Sequence, residues 1–169
     1  QPKVEAAKIL EQIYSDLDDA IGLLPDNTYL ELPGRVTKGA ALALKVRIML
    51  YDAYNDNGKA DIGKMGNILT VAEQIKGYSL SNDFESIFQG AGQETNTEII
   101  FSTKYLAPNN WHTSDLWFGA WLRCAPLTNL VSEFEFKDGT SFSTENPLYN
   151  PENPIENRDP RLDMSTFYQ

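Results

Sequence analysis

The chain has 169 residues and a formal net charge of −10 at pH 7, from 14 Lys and Arg against 24 Asp and Glu. That balance repels a phosphate polymer and argues against nucleic-acid binding, and no apolar run approaches the roughly 20 residues that span a bilayer as a helix. The single cysteine, Cys124, excludes an internal disulfide and a thiolate zinc cluster.

The N-terminus, Gln1-Pro2-Lys3-Val4-Glu5, lacks the charged start, apolar centre and cleavage site of a signal peptide. Ala6, Ile9, Leu10, Ile13, Leu17, Ala20, Ile21 and Leu24 recur at three- and four-residue steps. This spacing predicts an amphipathic helix from about 3 to 23, stopped by Pro25. A loop then leads to Gly34-Arg35-Val36-Thr37-Lys38-Gly39-Ala40-Ala41. Thr37 is placed to cap a helix from 38 to about 55, and the low bulk of its first turns lets a neighbour approach the backbone.

That helix fades in Asn55-Asp56-Asn57-Gly58. The spacing that follows predicts a third helix from Ile62 to Lys76, capped by Asp61. Met65, Ile68, Leu69, Ala72 and Ile75 face inward, and Gly77 closes it in the left-handed conformation. Residues 83–88 read as a short helix, and Glu98 to Tyr105, rich in Ile, Phe, Thr and Tyr, as a short strand. Ser114 starts a further helix carrying Trp117 and Trp121, and Thr128 caps another carrying Leu130, Val131 and Phe134. Asp138-Gly139 turns the chain, and Pro147, Pro151, Pro154 and Pro160 keep the remainder as ordered loop. The architecture expected is mainly α, with helix lengths that suit a tetratricopeptide-like superhelix.

Taken in order, Gly-Arg-x-Thr-Lys-Gly-Ala-Ala at 34–41, Gly77-Tyr78-Ser79-Leu80, Glu98-Ile99-Ile100-Phe101, Leu130-Val131-x-x-Phe134-Glu135 with Asp138-Gly139, and Asn157-Arg158-Asp159-Pro160-Arg161-Leu162 resemble the SusD/RagB family of surface glycan-binding lipoproteins. The resemblance covers roughly residues 10 to 162. It implies one SusD-like domain, with a helical-repeat part at about 3–90 and a loop-rich, ligand-facing part at about 91–169. It also implies an outer-membrane lipoprotein of a Bacteroidota-type bacterium that binds oligosaccharide or polysaccharide beside a SusC-like TonB-dependent transporter. Members of the family are usually several times longer, so the chain is expected to be a central fragment, with the signal peptide and lipid-bearing cysteine outside it. Where the family commonly has Pro-Thr and Leu-Val-Asp, this chain has Pro126-Leu127-Thr128 and Leu130-Val131-Ser132.

The family motifs themselves read as scaffold: Arg35, Arg158, Asp159 and Arg161 are suited to bidentate ion pairs that pin loops to helix ends. Sugar binding needs an aromatic plane against the C–H face of a pyranose, plus amides and carboxylates for its hydroxyls. Tyr105-Leu106-Ala107-Pro108-Asn109-Asn110-Trp111-His112-Thr113-Ser114-Asp115 supplies both. Trp111 is a stacking platform or a loop anchor, with Asn109, Asn110, His112 and Asp115 beside it as polar partners. Trp117 and Trp121, four apart on one helical face, suit core packing better than a second platform.

His112 is the only histidine, which leaves no imidazole pair for a metal. Residues 52–58 fail as a calcium loop, since Ala53 and Lys64 would take the first and twelfth positions. No nucleophile elbow, phosphate loop or zinc-helix motif is present, and no cofactor is implied. The function expected is therefore non-catalytic glycan capture. A helical-repeat protein-interaction module and a glycoside hydrolase are the alternatives.

Overall fold

A computed structural model describes residues 5–93, 95–105, 113 and 125–165. The chain divides into two compact units, one up to Lys104 and the other from Tyr105 onward. The first contains α1 (Ala6–Leu23), α2 (Lys38–Ala53), α3 (Ile62–Ala72), a 3₁₀ turn (Glu85–Ile87) and the short α4 (Gly90–Gln93). The second contains α5 (Thr128–Glu133) and α6 (Pro160–Ser165).

Both α1 and α3 pack on α2, and the buried residues lie along that seam. They are Leu17 from α1, Ala41, Leu42 and Ala53 from α2, and Ile68 from α3. The expected inward stripe of α3 is shallower than its spacing implies: Leu69 is 60% exposed. One helical neighbour covers only part of a stripe that is about 100° wide.

Helix ends follow their cap chemistry. The Asp61 carboxylate accepts from the amides of Gly63 (2.8 Å) and Lys64 (3.2 Å), as an N-cap should. The chain leaves α3 earlier than the expected Lys76, because Gln74 N–H and Ile75 N–H bond to Val71 and Ala72 three residues back. Those tighter turns consume the last carbonyls. Gly77 then takes φ +84°. The turn after α2 is closed by Asn55, whose side-chain oxygen accepts from Asn57 N–H and Lys59 N–H (3.1 and 2.9 Å), so it is a turn and not an ion loop.

Three expectations are corrected. Thr37 occupies the cap position of α2, but its side chain makes no cap bond. It is fully buried and meets the Tyr78 hydroxyl at 3.5 Å. Thr128 is the first residue of α5 and not its cap, which is Leu127.

Residues 98–105 form no strand: a strand needs a ladder partner, and this segment is held by side chains instead. Glu98 accepts from Ser81 N–H at 2.8 Å, and Tyr29 O–H donates to the Ser102 carbonyl at 3.4 Å. Among the described residues no helix is long and apolar enough to cross a membrane.

Candidate functional site

Trp111, Asn109, Asn110, His112, Asp115, Trp117 and Trp121 lie outside the described residues. What the structure describes is the approach to their loop and the motifs on either side of it. Tyr29, 1% exposed, is the anchor of that approach. Its ring meets Phe101 edge-on at 6.3 Å, and Lys104 Nζ lies 5.5 Å from its centroid. The segment up to Lys104 is therefore tied to Tyr29 in the connection between α1 and α2.

Two of the family-like motifs meet in one joint. Tyr78 lies against Gly39 so closely that a Cβ there would come within 2.7 Å of its hydroxyl and 2.9 Å of Cε2. The first turn of α2 accordingly needs glycine at this place. Lys38 adds a bond to Asp26 (2.7 Å), and its amide reaches the Pro25 carbonyl (3.0 Å).

The last motif builds a second joint, inside the second unit. Arg158, 3% exposed, has no carboxylate partner among the described residues, against the ion pair expected of it. It donates to the carbonyls of Phe134 (3.2 and 2.5 Å), Val131 (2.7 Å) and Pro154 (3.4 Å). Its guanidinium lies 4.0 Å from the Phe142 centroid and 5.5 Å from that of Phe136.

The negative end of α5 and two ring faces thus compensate the charge. Burial lowers its pKa from the ordinary arginine value. Asp159 and Arg161 do form the expected fork: Arg161 Nε donates to both carboxylate oxygens at 3.0 Å, and Nη2 to Oδ2. Asp159 also accepts from Arg161 N–H at 2.9 Å at the start of α6, where Pro160 stands in the first helical place. Ser132, where the family commonly has aspartate, returns its hydroxyl to the Thr128 carbonyl at 2.8 Å.

One concave feature was not read from the sequence. Tyr14 and Asp18 of α1, with Lys64 and Asn67 of α3, form the walls of a groove of about 330 Å³. Its floor is set by Lys45, Met49 and Asp52 of α2. Lys45 pairs with Asp18, joining α1 to α2. Lys64 Nζ donates to Asp52 Oδ2 and to its carbonyl, both at 2.8 Å, joining α2 to α3.

The hydrogen bond that Lys64 donates to the Asp52 carboxylate raises its pKa above the ordinary lysine value. Burial first, and then the Asp52 charge, raise that of Tyr14 against the opposing Lys64. The available signal was Lys45, Met49 and Asp52 at i, i+4 and i+7 of α2, two charged residues on either side of a methionine. They resemble ordinary solvated positions until three helices are assembled.

No family model and no curated protein matches the chain. Among solved structures it is similar to a SusD-like protein from Bacteroides fragilis, with a TM-score of 0.68 and 26% identity. The match covers 95% of this chain and 34% of that one, so the chain spans about a third of the neighbour's length. A tetratricopeptide-like helical stack with a loop-rich continuation is the class of protein these features define. Its motifs and its fold agree in resembling a SusD-like protein.

Proposed function

We propose that the chain is part of a non-catalytic, cell-surface glycan-binding protein that delivers sugar to a SusC-like TonB-dependent transporter in the outer membrane. The observation that carries this reading is the likeness to a SusD-like protein over 95% of the chain. Trp111 offers the stacking plane. Asn109, Asn110, His112 and Asp115 offer donors and acceptors for the hydroxyls. Trp117 and Trp121 follow in sequence, four residues apart.

The anchoring of residues 98–104 by Tyr29 and Glu98 supports the loop's role, since a recognition loop gains affinity from a fixed base. The longer protein would reach the membrane through a lipid anchor outside this chain. Affinity electrophoresis of the full-length protein through gels containing different polysaccharides tests the reading. Retardation by at least one polymer, lost in Trp111→Ala, is expected. Equal mobility in every gel contradicts it.

A further inference from the structure

We propose that Asn57 is a modification site: it loses its side-chain amide spontaneously, by attack of the Gly58 backbone nitrogen, when the turn between α2 and α3 opens. Asn57 is the only asparagine of the chain followed by glycine. Glycine matters because the attack needs a close backbone approach that a following Cβ obstructs. Asn146, Asn150 and Asn153 precede proline, which has no amide proton to give up. Asn27, Asn67 and Asn96 precede β-branched residues, which crowd the same approach.

The structure adds a gate. Asn57 is exposed, and among the described residues its side-chain amide makes no hydrogen bond, so nothing holds the leaving group. Gly58 takes φ +70°, and its N–H donates to the Asn55 carbonyl at 2.8 Å. That proton must be lost before the nitrogen can attack, so the closed turn slows the reaction. The Asn55 side-chain oxygen closes the turn further by accepting from Asn57 N–H and Lys59 N–H. All these bonds lie at exposed residues, the part of a structure that opens at least cost.

The chemistry needs only water. Hydroxide takes the Gly58 amide proton, and the nitrogen forms a bond to Asn57 Cγ. The Cγ–Nδ2 bond then breaks, and the departing amide takes a proton from water to leave as ammonia, which regenerates hydroxide. Water opens the cyclic imide at either carbonyl, giving aspartate or isoaspartate. Isoaspartate carries an extra methylene into the main chain of the turn. There Tyr54 bridges Ala60, and Asp61 N–H donates to the Ala53 carbonyl at 2.8 Å. The added atom disturbs the register that brings Asp61 to the cap of α3.

The test ages the full-length protein in mildly alkaline buffer and follows every asparagine by peptide mapping with mass spectrometry. An isoaspartyl methyltransferase labels the rearranged product. Asn57 is expected to convert before any other asparagine, with isoaspartate among the products and a lower urea midpoint in the converted protein. Asn55→Ala removes the side-chain acceptor of the turn. It should speed conversion at least about fivefold, the gain in open fraction when one hydrogen bond is lost. Unfolding the wild-type chain in urea should speed it as well. Earlier conversion of another asparagine overturns the proposal, as does absence of isoaspartate. An unchanged rate in Asn55→Ala or in urea removes the gate, and an unchanged urea midpoint after conversion removes the consequence for α3. None of these outcomes depends on glycan binding.

Discussion

At the residue scale, two contacts explain why particular side chains recur in the motifs. Gly39 exists to admit Tyr78, whose ring stands where a Cβ would be. Gly39→Ala should cost about 1–3 kcal/mol through overpacking. In a chemical-denaturation double-mutant cycle with Tyr78→Ala much of that cost should disappear, and strict additivity would contradict the contact. Arg158 is bound by three carbonyls and two rings, with no carboxylate partner among the described residues. Lysine offers neither the fork nor the flat face, so Arg158→Lys should lower stability by about 2 kcal/mol, and wild-type stability in that variant would refute the account.

The same scale governs pH. Hydrogen bonds from Arg161 hold the Asp159 carboxyl below the usual carboxylate range, and those from Thr140 do so for Asp138. A folded pKa below the unfolded one gives stability that is complete above the unfolded value and lost as pH falls through the folded value. Thermal melts of the full-length protein should therefore fall below about pH 4. Asp159→Asn should show a smaller fall than wild type, and identical slopes would remove Asp159 from the explanation.

At the element scale, caps and periodicity were legible and pairing was not. Asp61 and Pro25 are local signals, and α3 begins and α1 ends where they put these boundaries. Asp61→Ala should cost about 1 kcal/mol, read from urea midpoints. Thr37 and residues 98–105 show what local signals omit. A threonine before a helix is a good cap unless a distant Tyr78 claims it, and a β-rich composition makes a strand only where another strand lies alongside. The groove was illegible for the same reason: Tyr14, Lys45, Asp52 and Asn67 come together only through the order in which three helices stack. The recognition loop we propose rests on composition alone, a tryptophan among amides after an apolar segment, and residues 106–112 lie outside the described residues.

At the scale of the whole molecule, the ordered motifs act as joints. One sets Tyr78 on α2, and another sets Arg158 on the end of α5. The loop bearing Trp111 runs between these joints in sequence, and the segment before it is pinned to Tyr29. Recognition by that loop is the central claim. The most direct test is isothermal titration of the full-length protein and its Trp111→Ala variant against a broad panel of oligosaccharides. The account predicts heat of binding for at least one member, with affinity lowered at least about tenfold in the variant, a loss expected of an aromatic anchor. A panel without binding, or equal affinity in the two proteins, would contradict it.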